Sequence, residues 1–414
     1  MENIDALWLY LEPYTFISED ANYFFFYNAD DGTGISFHKN KEIVPLVRQL
    51  QDAGHLYSIK IAMKDLENED IYGFVKTIQA SGCGDIIEGN LSKPVVMPPL
   101  LNLQRSVERL KQHDVPISEN VLPYLHEVAI YVNGECSLNC KECRDGFKQH
   151  LCCTKSNNTL DFTLLKDFLF AISGTEASIT IVGGDIFQYP ELKEVLYVLQ
   201  RIPAVHILVT HWQNIPEDSE VLELLAYQSF RLKMIINDLY SIATIVTLAK
   251  KLKQSNIDQL WEIHITSLSE YEKAEILNEQ LADLNIEVTI KPFYNGENLE
   301  FFEENVFTDI EDFDAFKLDR QEIFTLQALN TNDFGKIIIQ SDGKVYANMN
   351  NEPIGDIKEN IEEILAKELE AGTSWRRTRY EIEPCSQCRF KLICPSPSNY
   401  EIAMGKNNLC HVNS

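Results

Sequence analysis

Residues Val128 to Cys143 read VAIYVNGECSLNCKEC and give the strongest indication of the architecture. The first five residues form an apolar run that is typical of a buried β-strand. Three cysteines follow at once, Cys136, Cys140 and Cys143, with the spacing C-x3-C-x2-C. The sequence therefore predicts a strand that leads directly into a cysteine-rich loop.

This strand is the first of six short apolar runs, and patterns typical of amphipathic helices separate them. The other five runs lie at residues 178–182, 206–209, 232–236, 263–265 and 287–290. Strands that alternate with helices indicate right-handed βαβ units and a parallel sheet. Six units are too few for a closed eight-stranded barrel, so we expect an α/β fold with an open, partial (β/α)6 barrel. Chemistry in such folds lies at the carboxyl ends of the strands, where the cysteine loop is expected.

Composition and charge narrow the function classes. The chain has 414 residues, of which 45% are hydrophobic and 24% charged, as in an ordinary globular protein of two or three domains. A formal net charge of −27 disfavours nucleic-acid binding, because it repels a phosphate backbone. The sequence has neither a secretory signal nor an apolar run of about 18 residues. We therefore expect a cytoplasmic protein that binds neither nucleic acid nor membrane.

The ten cysteines cluster, and clustered cysteines in a large chain without a signal indicate metal ligands rather than disulfides. Three thiolates in one loop can bind three irons of a [4Fe–4S] cube and leave the fourth iron open to a chelating cosubstrate. A structural zinc would instead need a fourth ligand. His150, Cys152 and Cys153 lie near enough in sequence to be candidates.

A cysteine loop after the first strand resembles the radical S-adenosylmethionine (SAM) superfamily, whose cluster loop follows the first strand of a partial (β/α)6 barrel. The second signature of that family, a Gly-Gly-Glu-Pro-like run after the second strand, has a counterpart in Gly183, Gly184 and Asp185. The resemblance implies that this edge receives the amino group of SAM. The ends of later strands supply candidate contacts to the ribose and adenine in Thr210, His211 and Asn237, although each of them could equally be an ordinary polar cap or turn residue.

The loop departs from the family in two places. Glu142 stands where the residue before the third cysteine is usually aromatic, and Asp185-Ile186 replaces the usual Glu-Pro. Neither change removes one of the three cysteine ligands.

A second cysteine set lies near the C-terminus, with the spacing C-x2-C-x5-C and one further cysteine sixteen residues beyond. Its members are Cys385, Cys388, Cys394 and Cys410. Four thiolates suffice for a closed [4Fe–4S] cluster or for a structural zinc. The set resembles the SPASM extension of radical SAM peptide-modifying enzymes, which normally carries seven cysteines and two auxiliary clusters. Three of the seven are absent here, with Asn348 and Ser398 at two of the positions, so the resemblance implies one auxiliary [4Fe–4S] cluster, with zinc as the alternative.

The remaining segments suggest further domains. Residues 1–90 are predicted to hold a hairpin and two helices and resemble a RiPP recognition element, the small domain that binds leader peptides of ribosomally made natural products as an added edge strand. A structural cap is the alternative. We expect a linker at 91–125, the radical SAM core at 126–300, a bridging segment at 301–329 and a SPASM-like domain at 330–414. Residues 394–401, CPSPSNYE, also resemble SPASM-type proteins of the grasp-with-SPASM and GG-Bacteroidales systems, which include pseudo-radical-SAM members.

Together these resemblances imply a radical SAM enzyme of the SPASM type, active in RiPP maturation. It would reductively cleave SAM with an electron from a donor such as flavodoxin or ferredoxin, and modify a residue of a precursor peptide with the 5′-deoxyadenosyl radical. The alternative is a non-catalytic pseudo-radical-SAM partner that binds a leader peptide and carries zinc at the C-terminal cysteines. The sequence indicates no general base, and we expect Cys83 to be a packing residue.

Overall fold

The computed structural model describes residues 6–99, 121–138, 140–217, 220–227, 230–239 and 241–412. The helix predicted at 103–113, in the linker, lies outside the described residues. Within the described ranges, no helix combines the length and the apolar character needed to cross a lipid bilayer.

The N-terminal unit consists of two antiparallel three-stranded sheets and two helices. The sheets have the strand orders β5-β1-β6 and β2-β3-β4. The strands are β1 (Ala6–Leu11), β2 (Thr15–Glu19), β3 (Tyr23–Asn28), β4 (Thr33–His38), β5 (Ser58–Ala62) and β6 (Gly84–Glu88), and the helices are α1 (Ile43–Gln51) and α2 (Glu69–Ala80). The predicted β3–β4 hairpin and both helices are present, whereas β2, β5 and β6 were not predicted.

The middle of the chain forms the six predicted strands, which are confirmed and lie side by side in sequence order, all parallel. The strands are β7 (Glu127–Tyr131), β8 (Ser178–Val182), β9 (His206–His211), β10 (Phe230–Ile236), β11 (Asp258–Ile265) and β12 (Glu287–Pro292). The helices among them are α3 (Gly146–Gln149), α4 (Phe162–Ala171), α5 (Leu192–Leu199), α6 (Glu220–Tyr227), α7 (Ile242–Gln254) and α8 (Leu268–Ala282).

Alternate residues of these strands face opposite sides of the sheet. Ile130 and Leu208 belong to the main core, which includes residues of the surrounding helices. Their neighbours Tyr131 and Val209 belong to a smaller apolar cluster on the inner side. Strands β7 to β11 are therefore buried on both faces, as expected for parallel sheets covered by helices, whereas β12 at the edge of the sheet is only partly buried.

The C-terminal hairpin continues the same sheet instead of standing apart. Its strands are β13 (Lys336–Ile339), β14 (Lys344–Tyr346) and β15 (Gly355–Asp356). Strand β13 pairs in parallel with β7, so the full order is β12-β11-β10-β9-β8-β7-β13-β14-β15. This pairing covers the edge that β7 would otherwise expose. The sequence had placed the hairpin in a separate unit beginning at residue 330.

Further helices lie in the bridging and C-terminal segments. They are α9 (Leu299–Asn305), α10 (Arg320–Ala328), α11 (Ile361–Ala371) and α12 (Asn399–Met404). The bridging segment packs with the N-terminal sheet and the C-terminal cysteine segment in one buried cluster, which includes Phe16, Phe313 and Phe390. The two ends of the chain therefore meet in space.

Candidate functional site

The loop after β7 brings its three cysteines to one cavity at the carboxyl ends of the strands. The cavity has an empty volume of about 320 Å³, part of it open to solvent. Its lining residues are Cys136, Leu138, Cys140, Glu142, Cys143, Cys152, Cys153, His211, Ile235 and Asn237. The three cysteines predicted as cluster ligands therefore share one site, together with two of the polar residues expected at the ends of later strands.

Close backbone approach ties the cysteine loop to the end of β8. The amide of Gly184 donates to the Asn133 carbonyl at 3.0 Å, and the amide of Asp185 donates to the Glu135 carbonyl at 2.7 Å. A Cβ on Gly184 would collide with the backbone of Glu135. Glycine is therefore required here because only a residue without a side chain lets the two backbones meet.

None of Gly183, Gly184 and Asp185 is among the described residues that line the cavity. The Asp185 carboxylate caps the next turn, accepting from the Phe187 amide at 3.1 Å and from the Gln188 side chain at 2.9 Å. Burial raises the pKa of this carboxyl. The group that the sequence assigned to the SAM ammonium is thus already engaged within its own turn.

Asn133 provides an acceptor at the same edge that the sequence did not reveal. Its side-chain amide donates to the Asp185 carbonyl at 2.8 Å, which fixes its orientation. Its Oδ1 is buried and has no hydrogen-bond partner within the described residues. A Cβ on Gly183 would collide with this oxygen. A buried carbonyl oxygen without a partner is costly unless a bound donor satisfies it.

Thr210 and His211 are the two candidate residues at the end of β9, and as neighbours in a strand they face opposite sides of the sheet. Thr210 is fully buried and is not among the lining residues, whereas its neighbour His211 lines the cavity. His211 Nδ1 accepts from the Gln213 amide at 3.2 Å, so its Nε2 donates to Asn237 Oδ1 at 2.9 Å. The structure therefore favours His211 and Asn237 over Thr210 as residues that meet a ligand.

The cysteines of the loop influence one another. The pKa of the Cys140 thiol is lowered, chiefly because Cys143 donates a hydrogen bond to it and to a lesser degree because the polar side chains of His211 and Asn237 lie beside it. The pKa of Cys143 is raised for the complementary reason, since losing its proton would break that hydrogen bond. Thiolates are the form that binds iron or zinc, so metal binding would require Cys143 to give up the proton that it donates to Cys140.

Glu142, the residue that departs from the family pattern, is held by a buried histidine. Its Oε2 lies 3.1 Å from His264 Nδ1, and His264 Nε2 lies 3.0 Å from Glu262 Oε1. The other Glu262 oxygen binds Lys233 at 2.5 Å and Lys291 at 2.8 Å. Sequence analysis missed this charged network. The charged residues within otherwise apolar β10 and β11 were the signal that it could have used.

Burial and charge pairing together set the pKa values of His264 and Glu262 in this network. Burial alone would lower the pKa of His264, but hydrogen bonds to Glu142 and Glu262 outweigh it and raise the pKa. Burial would raise the pKa of Glu262, yet the hydrogen bond from His264 and the charges of the two lysines hold it well below its usual range. The network is therefore a chain of paired charges that anchors the cysteine loop to β11.

The three candidates for a fourth zinc ligand are placed differently. Cys152 and Cys153 line the cavity of the loop cysteines. Burial raises the pKa of both thiols, so they are protonated packing groups as they stand. His150 lies elsewhere, with its Nε2 2.9 Å from the Pro292 carbonyl and 3.4 Å from the Tyr400 hydroxyl. Burial lowers the pKa of His150 to about 3.

The C-terminal cysteines also come together, although they span residues 385–410. Burial raises the pKa of Cys394 to about 12, and the neighbouring Cys385, Cys388 and Cys410 thiols add to the rise. Cys410 is positioned by a bridge of its strand segment to Thr308. The four C-terminal cysteines therefore lie near enough to one another for their charges to interact.

An arginine that the sequence did not indicate stands beside the C-terminal set. Arg379 is 8% exposed, and its Nη1 lies 3.7 Å from Cys385 Sγ. Glu401, which is 1% exposed, accepts from Arg379 Nη2 at 2.7 Å. A cation that donates to a thiolate stabilises the deprotonated form.

Two positions where the SPASM family carries cysteine are occupied here by polar networks. The Asn348 amide donates to both Asp333 oxygens at 2.9 and 3.1 Å and to Asn399 Oδ1 at 2.7 Å. Ser398 is the N-cap of α12, where its hydroxyl accepts from the Tyr400 amide. Hydrogen bonds therefore hold together the region where the resemblance would have placed another cluster.

The donor sets fit the proposed groups in chemistry. Three thiols in one partly open cavity suit a cube with one free iron, and four gathered thiols suit a closed site. In the described part of the chain, no three His, Cys, Asp or Glu side chains are already arranged around a single metal ion. A four-iron cube makes a different demand, because each thiolate binds a separate iron. No disulfide forms among the ten cysteines, all of which are described.

Comparison with solved structures identifies general likenesses. SuiB of Streptococcus suis bound to its precursor peptide SuiA has 13% identity and a TM-score of 0.49, with 97% of this chain and 98% of that chain covered. SuiB bound to S-adenosylmethionine has 13% identity and a TM-score of 0.46, covering 98% and 99%. The structure of anSMEcpe with bound AdoMet and Cp18Cys peptide has 12% identity and a TM-score of 0.46, covering 66% and 88%.

The SuiB structures contain the precursor peptide SuiA or S-adenosylmethionine, and the anSMEcpe structure contains AdoMet and a peptide. At such identities and TM-scores the likeness is only a general one. No family model and no curated protein matches the chain.

Proposed function

We propose that the chain is a radical SAM enzyme that modifies a residue of a ribosomally made precursor peptide. One observation carries the proposal. Cys136, Cys140 and Cys143 line a single cavity at the carboxyl ends of six parallel strands, beside a glycine edge and a buried acceptor that has no partner among the described residues. A [4Fe–4S] cluster bound there would supply the electron that cleaves SAM to methionine and a 5′-deoxyadenosyl radical.

In the proposed reaction, the protein residues bind the cluster and SAM, orient them, and enclose the reacting atoms. The three loop cysteines would hold the cluster, and Asn133 Oδ1 would accept from the SAM ammonium at the edge formed by Gly183 and Gly184. The hydrogen-bonded pair of His211 and Asn237, which lines the same cavity, would meet the ribose or adenine. Apolar walls such as Ile235 and the buried Cys152 keep water from the reacting atoms.

The two ends of the chain would serve the same reaction. The N-terminal unit, residues 1–90, would bind the leader of the precursor by strand addition. The C-terminal cysteines would hold one auxiliary [4Fe–4S] cluster, closed to substrate, which accepts or relays an electron. A flavodoxin or ferredoxin would provide the reducing electron. The net charge of −27 favours a basic segment in the precursor.

The decisive experiment is anaerobic reconstitution with iron and sulfide, followed by reaction with SAM and a strong reductant. We expect about eight irons per chain, as two four-iron cubes require, and formation of 5′-deoxyadenosine. Cys136→Ala, Cys140→Ala and Cys143→Ala should each abolish 5′-deoxyadenosine and remove about four irons. Cys83→Ala is the matched control, because Cys83 is buried in the N-terminal core and should leave both readouts unchanged.

Two results would contradict the proposal. SAM cleavage that survives in the three loop variants would show that the loop does not bind the catalytic cluster. A wild-type chain that carries zinc at the C-terminal cysteines, no iron, and no cleavage activity would instead identify a non-catalytic partner that presents a leader peptide.

A further inference from the structure

The turn between two of the C-terminal cysteines is also the surface on which the N-terminal sheet rests. This turn, Arg389–Leu392, lies between Cys388 and Cys394. Strands β2 and β3 pack on it, and their residues share one buried cluster with the turn. A turn flanked by two of the proposed metal ligands therefore forms part of the interface between the N-terminal sheet and the C-terminal segment.

Strand β3 supplies the apolar side chains that the N-terminal unit buries in this interface. Its residues alternate, so Phe24 and Phe26 fill the core of the N-terminal unit while Phe25 and Tyr27 point the other way. Phe25 is 3% exposed and Tyr27 is 1% exposed. Both would face water if the unit left its docking surface, which opposes separation.

The turn supplies the aromatic half of the contact through Phe390. Its ring stacks on Phe313 of the bridging segment at 4.4 Å and meets the edge of Phe25 at 5.1 Å. Phe390 thus lies between the bridging segment and the N-terminal sheet. A small shift of the turn would open a gap on both sides of this ring, because packed interiors tolerate little displacement.

Arg389 supplies the polar half of the contact between the turn and the N-terminal sheet. Its Nη1 lies 2.6 Å from Asp20 Oδ2, and the two side chains are only 15% and 19% exposed. Its guanidinium lies 4.5 Å from the centre of the Tyr23 ring, and its carbonyl accepts from the Ser18 hydroxyl. An ion pair this deeply buried is sensitive to position, because either charge without its partner is costly.

Within the turn, the backbone hydrogen bonds join only residues that are close in sequence. The amide of Cys394 donates to the Phe390 carbonyl at 3.0 Å, and the amide of Lys391 donates to the Cys388 carbonyl at 3.3 Å. Short 3₁₀ turns of this kind are weak elements when they stand alone. Metal ligation at both ends would restrain such a turn, since metal binding and local folding are coupled.

We propose that the metal group at the C-terminal cysteines fastens the N-terminal unit to the rest of the chain by holding the Arg389–Leu392 turn in its docking shape. The inference rests on the C-terminal cluster site proposed above. Docking and metal retention must then strengthen each other by the same factor. The bridging segment provides the part of the interface that does not depend on metal.

Hydrogen exchange on the full chain tests the coupling. Removing the C-terminal metal, by Cys394→Ser or by a chelator acting on the wild type, should speed amide exchange in residues 15–28 by about tenfold. Cys143→Ser is the matched control, because it removes a thiolate from the other cysteine set and should leave these residues unchanged. Exchange in β5 should stay slow throughout, which reports that the N-terminal unit remains folded.

The reciprocal measurement uses the interface instead of the cysteines. Arg389→Gln should speed release of the C-terminal metal to a chelator, whereas Arg231→Gln, which breaks an exposed ion pair on β10, should not. Unchanged exchange in residues 15–28 after verified loss of the metal would overturn the inference while leaving the metal site intact. A wild-type chain without metal at these cysteines would overturn both.

Discussion

At the scale of single residues, Glu142 shows how the cysteine loop differs from the pattern that it resembles. An aromatic residue is usual before the third cysteine, and a carboxylate there looks like a defect in the sequence. In the structure Glu142 binds His264, whose own partner is Glu262. The substitution therefore belongs to a buried network, and it fixes the loop to the far wall of the barrel.

A prediction for Gly184 tests the close approach of the two backbones. Gly184→Ala should reduce iron binding and SAM cleavage, because its Cβ would push the cysteine loop away from the end of β8. Iron content after reconstitution and 5′-deoxyadenosine formation are the measurements. Gly174→Ala is the matched control, since a Cβ there meets nothing within 4 Å. Equal iron content in the two variants would contradict the explanation.

A second prediction concerns Asp333, whose pKa burial raises to about 6. Because the folded protein holds this proton more tightly than the unfolded chain, stability falls as pH rises from about 4 to about 6. Asp333→Asn mimics the protonated acid. It should raise the free energy of unfolding by about 2–3 kcal/mol at about pH 8 and by almost nothing at about pH 4.

Denaturant unfolding at the two pH values measures this effect. Asp167→Asn, on the exposed side of α4, should leave the pH dependence of wild type unchanged. If Asp333→Asn destabilises the protein equally at both pH values, the carboxyl serves chiefly as a hydrogen-bond acceptor for Asn348 and burial does not dominate.

At the scale of elements, three neighbouring strands carry charges into the interior of the barrel. Lys233 on β10, Glu262 on β11 and Lys291 on β12 meet where an apolar core would be expected. Glu262 is 2% exposed, so its charge depends on these partners. Buried ion pairs of this kind are sensitive to loss of one member, although they add little net stability.

Glu262→Gln should therefore destabilise the barrel by about 3 kcal/mol, because it leaves two ammonium groups without their shared carboxylate. Glu287→Gln is the control on the next strand. Glu287 is 63% exposed in its pair with Arg231, so its loss should cost below about 1 kcal/mol. Denaturant unfolding of both variants decides the matter, and equal losses would mean that the buried network is hydrated in solution.

The elements themselves were predicted unevenly. The six barrel strands were found because each is an apolar run bounded by helical patterns, and burial on both faces makes such runs easy to recognise. Strands β5 and β6 were missed because SIKIA and GDIIE are short and half polar. Pairing with β1 makes them strands, and pairing is a property of the folded chain.

At the scale of the whole molecule, the N-terminal unit has its own core and a second contact with the C-terminal cysteine segment. In the metal-loaded chain, calorimetry should show the N-terminal unit unfolding together with the rest. After chelation, a separate transition should appear at lower temperature, because the docking contact through Phe390 and Arg389 is weakened. An unchanged thermogram after verified metal loss would contradict this coupling.

The order of the parallel strands and helices could be read from the sequence alone, and the cysteine spacings indicated which thiols could belong to each proposed metal site. These follow from local patterns and from spacings within a few residues. Only the tertiary structure decided that His211 rather than Thr210 faces the cavity, that Asp185 caps its own turn, and that Glu142 meets His264. Those outcomes depend on which face of a strand each residue occupies and on contacts between distant segments, and neither is encoded in a local pattern.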